Sequence, residues 1–293
     1  MNKLLTRILF SLTMVSAQVA SDYIYTGVEA TALAGAVVAN PGSSSNLYHN
    51  PAGLAEVKTL EFRAGSGKIV NLPYLDFGLV MRVPVLGSIG ISTQGLKTDY
   101  SGTTLSNEQV YSFSNGFHLQ QDRNTRLLLG YSLNYYTWDL GRSAGLSGDG
   151  SDGFAAASGS AFGLDVGLVA VLRNKHRVGA YLKNINSPEI GSGASTSYLP
   201  RRMNIGIAYV PFDRLVTSLN LDRLLGANQI IINGGFQYGL NDWVILRLGV
   251  QSNPNRFGGG MEVQVAGFKI GYSLLSHPVL PLTHQFGIRF ARR

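Results

Sequence analysis

The chain reads as an all-β fold, a 14-stranded antiparallel transmembrane β-barrel, and three observations predict it. From Thr59 onward, apolar and polar residues alternate with a period of two, segment after segment, with turn formers between them. The connections sort by length, short at one end of the segments and longer at the other. Composition supplies the third: only 14% of 293 residues are charged and 36 are glycine. A soluble domain usually carries about 25% charged residues, and past the N-terminus no run approaches the roughly 18 apolar residues a membrane helix needs. A secreted β-rich fold also alternates and is the competing architecture, but it has no reason to sort its loops by length.

Strands are expected at 59–66, 74–84, 87–97, 108–119, 125–138, 160–173, 176–186, 201–211, 213–222, 228–239, 242–252, 256–265, 267–276 and 283–291. The tenth shows the logic. Ile230, Ile232, Gly234, Phe236 and Tyr238 share one face, while Gln229, Ile231, Asn233 and Gln237 share the other. In the fifth, Leu127, Leu129, Tyr131, Leu133 and Tyr135 oppose Gly130, Ser132 and Asn134. In a membrane barrel the apolar face meets lipid and the mixed face lines the lumen. The short connections fall at 85–87, 121–124, 174–176, 212–213, 240–242 and 266–267, and the longer ones at 98–107, 139–159, 187–200 and 277–282. Short turns face the periplasm in such barrels, so an even strand count puts both chain ends there. Trp138, Tyr135, Tyr136, Tyr238, Tyr209 and Phe212 lie near strand ends, where an aromatic belt would meet headgroups.

Residues 1–17 read as a secretory signal peptide: Lys3 and Arg7 ahead of an apolar Ile8–Val15, then the small-residue site Val15-Ser16-Ala17, with cleavage after Ala20 as the alternative. Its removal takes away two cations and no acid, lowering the net charge from +7 to about +5, too modest to argue for nucleic acid. The absence of cysteine fits an envelope protein but also fits many others.

Between signal and barrel lies a small-residue, almost uncharged run, Gly27 to Asn46, closed by Tyr48-His49-Asn50-Pro51-Ala52-Gly53-Leu54-Ala55. Pro51 suits a first helical turn with Asn50 as N-cap, because proline lacks the N–H that a first turn leaves unpaired. Ala30-Thr31-Ala32-Leu33-Ala34-Gly35-Ala36 followed by Asn50-Pro51-Ala52-Gly53-Leu54 resembles the N-terminal signature of PorV/PorQ-like and FadL-like outer-membrane barrels. The resemblance implies that residues 18–57 fold into the lumen as a hatch, with Tyr48 to Leu54 as its motif, and that 58–293 form the barrel. Phe162 to Gly167, Lys183-Asn184-Ile185, Leu199-Pro200-Arg201-Arg202 and Gly206-Ile207-Ala208-Tyr209 resemble the PorV/PorQ-like middle barrel. His284 to Phe290 resembles a C-terminal barrel-assembly signal, here followed by Ala291-Arg292-Arg293.

Strand parity places Glu61, Asp76, Asp165, Asp222 and Glu262 on the inner face, with Arg63, Arg82, Lys183, Arg202, Arg214, Arg247, Lys269 and Arg289. An Arg or Lys facing lipid at mid-depth costs about 2–4 kcal/mol, so their gathering on one parity supports the assignment. The bland reading is an ion-paired, water-filled lining that holds the hatch; the functional one is a polar conduit or a surface gripping cargo. Five scattered histidines, with no Gly-x-Ser-x-Gly and no His-Glu-x-x-His, give no enzyme signature, and no Gly-x-x-x-x-Gly-Lys-Ser/Thr cradles phosphate. Gly148-Asp149-Gly150-Ser151-Asp152-Gly153 lacks the ligand spacing and distal Glu of a calcium loop, so neither metal nor cofactor is expected. The 139–159 loop and the apolar Ser276–Leu282 loop are the natural contact surfaces.

The PorV/PorQ-like resemblance implies a non-enzymatic role in protein export, as a companion of type IX secretion. Its partners would then be outer-membrane lipids and secreted cargo or secretion-machinery subunits. The alternatives are a FadL-like transporter of hydrophobic molecules such as long-chain fatty acids, with a hydrophobic ligand as partner, and a structural envelope protein.

Overall fold

A computed structural model of the chain describes residues 25–69, 72–100, 103–139, 141, 146, 152–154, 158–191, 196–227 and 229–292. The expected signal peptide and most of the 139–159 loop lie outside the described residues.

Sixteen strands follow in chain order: β1 (Glu61–Ile69), β2 (Leu72–Val83), β3 (Gly87–Tyr100), β4 (Thr103–Gln121), β5 (Thr125–Asp139), β6 (Ser158–Leu172), β7 (His176–Lys183), β8 (Glu189–Ile190), β9 (Ser197–Tyr198), β10 (Arg201–Tyr209), β11 (Leu215–Leu225), β12 (Ile230–Gly239), β13 (Val244–Gln251), β14 (Arg256–Val265), β15 (Phe268–Leu275) and β16 (Thr283–Ala291). All but β8 and β9, which pair only with each other, join one closed antiparallel barrel of 14 strands. Closure is made by β1 against β16, from Glu61 opposite Ala291 to Lys68 opposite His284, so the barrel has no terminal strand.

Alternation decides what each face meets. Phe77, Leu133, Ile207 and Phe236 point outward and are 44%, 51%, 54% and 43% exposed, while Gly78, Ser132, Ala208 and Gly235 on the opposite parity face inward. An outer surface this apolar has no place in water and suits hydrocarbon, where every strand amide is satisfied by its neighbours. Among the described residues no helix is long and apolar enough to cross a membrane.

The short turns coincide with the expected ones. Arg173 and Asn174 have φ of 49° and 58°, and Ala266 and Gly267 have φ of 49° and 87°. Two successive left-handed residues match the twist of the flanking strands, as hairpin turns require.

Three expectations change. The 98–107 connection is mostly strand, because β3 runs to Tyr100 and β4 begins at Thr103. Its Thr and Tyr residues favour strands without the apolar face that marks one embedded in lipid. The seventh strand stops at Lys183 rather than 186, where Asn184 turns left-handed with φ of 55°. Tyr136 and Trp138 leave the expected belt: both face the lumen, packed with Val110, Ile190 and Leu199 as the β8–β9 connection folds inward. At the loop rim Tyr25 bonds Gln251 at the end of β13 and takes a bond from Gln285 Nε2 at 3.0 Å.

Candidate functional site

Residues 25–57 run through the lumen. They enter by Tyr25, form a helical turn over Val28–Ala32, and bend at Asn40 to Ser43, where Asn40 Nδ2 donates to Ser218 Oγ at 3.2 Å. They continue through a second helical turn, Asn46–His49, and a 3-10 turn, Pro51–Glu56, and reach the turn rim at Glu56. The run is built of small residues because backbone meets backbone. Gly116, Gly130 and Gly167 stand side by side on β4, β5 and β6, and a Cβ on Gly130 would lie 2.3 Å from Ala52 N. Gly235, Gly249 and Gly258 repeat the arrangement on β12, β13 and β14, where a Cβ on Gly249 would lie 2.2 Å from the Leu33 carbonyl carbon.

Asn50 is the anchor of this contact. Its Oδ1 accepts from Ala52 N at 3.2 Å, the N-cap bond, with Pro51 at the start of the turn. Its Nδ2 donates to Val38 O at 2.8 Å and reaches Leu168 O at 3.3 Å and Ala180 O at 3.4 Å, cross-strand partners on β6 and β7. Tyr48 OH donates to Phe77 O at 2.6 Å, and the Arg63 guanidinium lies 4.9 Å from its ring centre. His49 Nε2 sits 2.9 Å from Thr26 O, a carbonyl that can only accept, so Nε2 carries the proton. Ala52, Gly53 and Leu54 are buried. Removing the cap and its proline together, Asn50→Ala with Pro51→Ala, is expected to loosen the segment and raise small-solute permeability while the wall stays folded, since an N-cap alone contributes about 1 kcal/mol. Liposome swelling measures this, and swelling equal to wild type would count against any blocking role.

The inner charges are mostly paired. Arg63 Nη2 meets Asp76 Oδ1 at 3.0 Å, Arg202 meets Asp222 at 3.3 Å, and Glu262 takes both Arg247 at 3.4 Å and Arg289 at 3.3 Å. Lys269 borders the same cluster. Glu61 Oε2 accepts from Ser44 N at 2.8 Å, tying β1 to the lumenal segment. Asp165 accepts from Tyr181 OH at 2.6 Å and from Asn184 N at 2.8 Å, and Lys183 is buried beside it. Two residues depart from the expected lining. Arg82 keeps the inward parity but sits exposed one residue from the end of β2, and Arg214 lies in the β10–β11 turn, paired with Asp242 at the surface. Sequence reasoning also missed inner-face partners, Glu29, Glu56, Arg126 and Arg177; extending the strand parity to the first residues of β5 and β7 exposes the last two. Among the described residues no group of His, Asp or Glu could hold a metal ion.

On the outside of the wall an apolar groove of about 640 Å³ runs across β1 to β6, lined by Phe62, Phe77, Thr93, Phe113, Leu133 and Phe162 among others. Phe77 and Thr93 are cross-strand partners, and their carbonyls are the ones Tyr48 OH approaches from within, at 2.6 and 3.4 Å.

The barrel is similar in fold to several solved hydrocarbon transporters and channels. The chain is similar to the Ralstonia pickettii toluene transporter TbuX (12% identity, TM-score 0.66, covering 93% of this chain and 100% of that one). It is similar to CymD, a monoaromatic hydrocarbon channel, with 12% identity, a TM-score of 0.64 and coverage of 93% and 99%. A Pseudomonas aeruginosa FadL homologue matches with 10% identity, a TM-score of 0.57 and coverage of 91% and 97%. A protein-family profile described as F plasmid transfer operon, TraF, protein matches residues 96–222, under half of the chain. No curated protein sequence matches it. At these identities the likeness is one of fold.

Proposed function

We propose that the chain is a non-enzymatic outer-membrane transporter of hydrophobic molecules, such as long-chain fatty acids or small aromatic hydrocarbons, with residues 25–57 as a hatch. The carrying observation is the outer groove of about 640 Å³, apolar and aromatic, set where Tyr48 of the lumenal segment reaches the wall backbone at Phe77 and Thr93. A hydrophobe can rest on such a surface from the lipid side, and movement of the segment would link that surface to the lumen. The names of the similar structures, hydrocarbon channels and toluene transporters, support the same substrate class.

Cells lacking their own fatty-acid channel test this. Expression of the chain is expected to raise uptake of radiolabelled oleate or toluene severalfold over a vector control, and uptake equal to the control removes the transport reading. The lumen favours a second reading. Its paired charges, from Arg63–Asp76 to Arg247–Glu262, make a polar lining that suits a PorV/PorQ-like companion of protein export better than an apolar tunnel. Under that reading, secreted proteins sharing a C-terminal sorting domain co-purify with the chain from gently solubilised membrane.

A further inference from the structure

Where the lumenal segment reaches the turn rim, the inner wall carries more cations than the segment answers. Arg126 of β5 and Arg177 of β7 both face Val171 of β6 in register, so two guanidinium groups flank one buried valine on a single inward row. Among the described residues, the lumenal segment brings one carboxylate to this rim. Glu56 accepts from Arg126 Nε at 2.6 Å, with His118 Nε2 at 3.5 Å, and Arg126 Nη1 turns away to Asn174 Oδ1 at 2.6 Å. Arg177 is half-buried, and its Nε–H is closed off from solvent with no acceptor among the described residues. A guanidinium is a planar fork of five donors that matches two oxygens of one anion, and a buried N–H that meets no acceptor is the group such an anion would satisfy. Arg173 and Lys175 in the adjoining turn deepen the positive field.

We propose that this notch is an oxyanion-binding site in which Arg177, assisted by Arg126, takes a carboxylate or phosphate in competition with Glu56. An anion seated there draws Arg126 away from Glu56 and so loosens the Pro51–Glu56 turn from the wall. The site goes beyond the transport reading and does not rest on it, because it needs only the charges at the rim.

Calorimetric titration of the full-length protein in nonionic detergent, with sodium octanoate and separately with inorganic phosphate, tests it. Arg177→Gln is expected to weaken binding about tenfold or more, the scale of one charge-assisted hydrogen bond. Glu56→Gln removes the competitor and is expected to tighten it, which keeps the test alive if the arginine variant fails to fold. Octanoate bound more tightly than phosphate assigns the site to an amphiphile's headgroup; phosphate bound as well or better assigns it to a free oxyanion. Affinities unchanged in both variants, or binding of neither anion by wild type, overturn the proposal.

Discussion

Gly130→Val is expected to leave the barrel assembled and to open it to small solutes. The new Cβ would lie 2.3 Å from Ala52 N, 2.4 Å from the Pro51 carbonyl carbon and 2.6 Å from its oxygen, all backbone atoms that no rotamer change can move aside. Overpacking by a methylene or two usually costs about 1–3 kcal/mol because side chains adjust; here the relief must come from one backbone shifting as a unit. The wall is held by ladders on both sides of β5, fourteen residue pairs with β4 and fifteen with β6. The lumenal segment holds on through scattered side-chain bonds such as those of Asn50. The segment therefore yields. Gly259→Val is the matched control, since a Cβ there meets nothing closer than Leu248 Cδ2 at 3.9 Å on the outer face. Antibiotic sensitivity and liposome swelling read the opening, and heat-modifiable gel mobility reads the barrel. A folded Gly130→Val barrel as tight as wild type would mean that residues 25–57 do not block the lumen.

That contrast between two glycines marks the limit of what the sequence discloses. Parity was legible wherever the two faces differ in polarity: Ile232 against Asn233 and Leu133 against Ser132 lie on the faces their chemistry predicts. Turns were legible because left-handed positions and tight reversals select recognisable residues, as at Asn174 and Gly267. Glycine carries no polarity, so Gly258 and Gly259 read alike although one supports the lumenal segment and the other faces outward. Trp138 looked like belt material by composition and proximity to a strand end, yet its parity puts it inside. Charged residues disclosed their face but not their partners. Arg63 and Asp76 come from different strands, and nothing along the chain says that they meet, since the pairing is fixed by the register of Arg63 opposite Gly78 and Gly65 opposite Asp76.

Arg63→Met is expected to be the most destabilising of the inner-charge substitutions. The guanidinium donates a hydrogen bond from Nε to Asp76 Oδ1 at 3.1 Å and brings Nη2 within 3.0 Å of the same oxygen as an ion pair, and Asp76 is 1% exposed. It also packs against Gly27 and lies over the ring of Tyr48, so one side chain joins β1, β2 and two points of the lumenal segment. Removing one partner of a buried pair leaves the other charge uncompensated, a loss of about 3–5 kcal/mol, whereas replacing both with apolar groups of similar size is often close to neutral. Arg63→Met with Asp76→Leu should therefore recover most of the stability lost in the single variant, measured as the midpoint of guanidinium unfolding from detergent micelles. It should not restore the seat of the lumenal segment, because Tyr48 and Gly27 still lack the guanidinium, so permeability stays raised in both variants. A single variant as stable as the double would show that Asp76 is answered by another group or by water, and the lining would then be a hydrated surface rather than a set of discrete pairs.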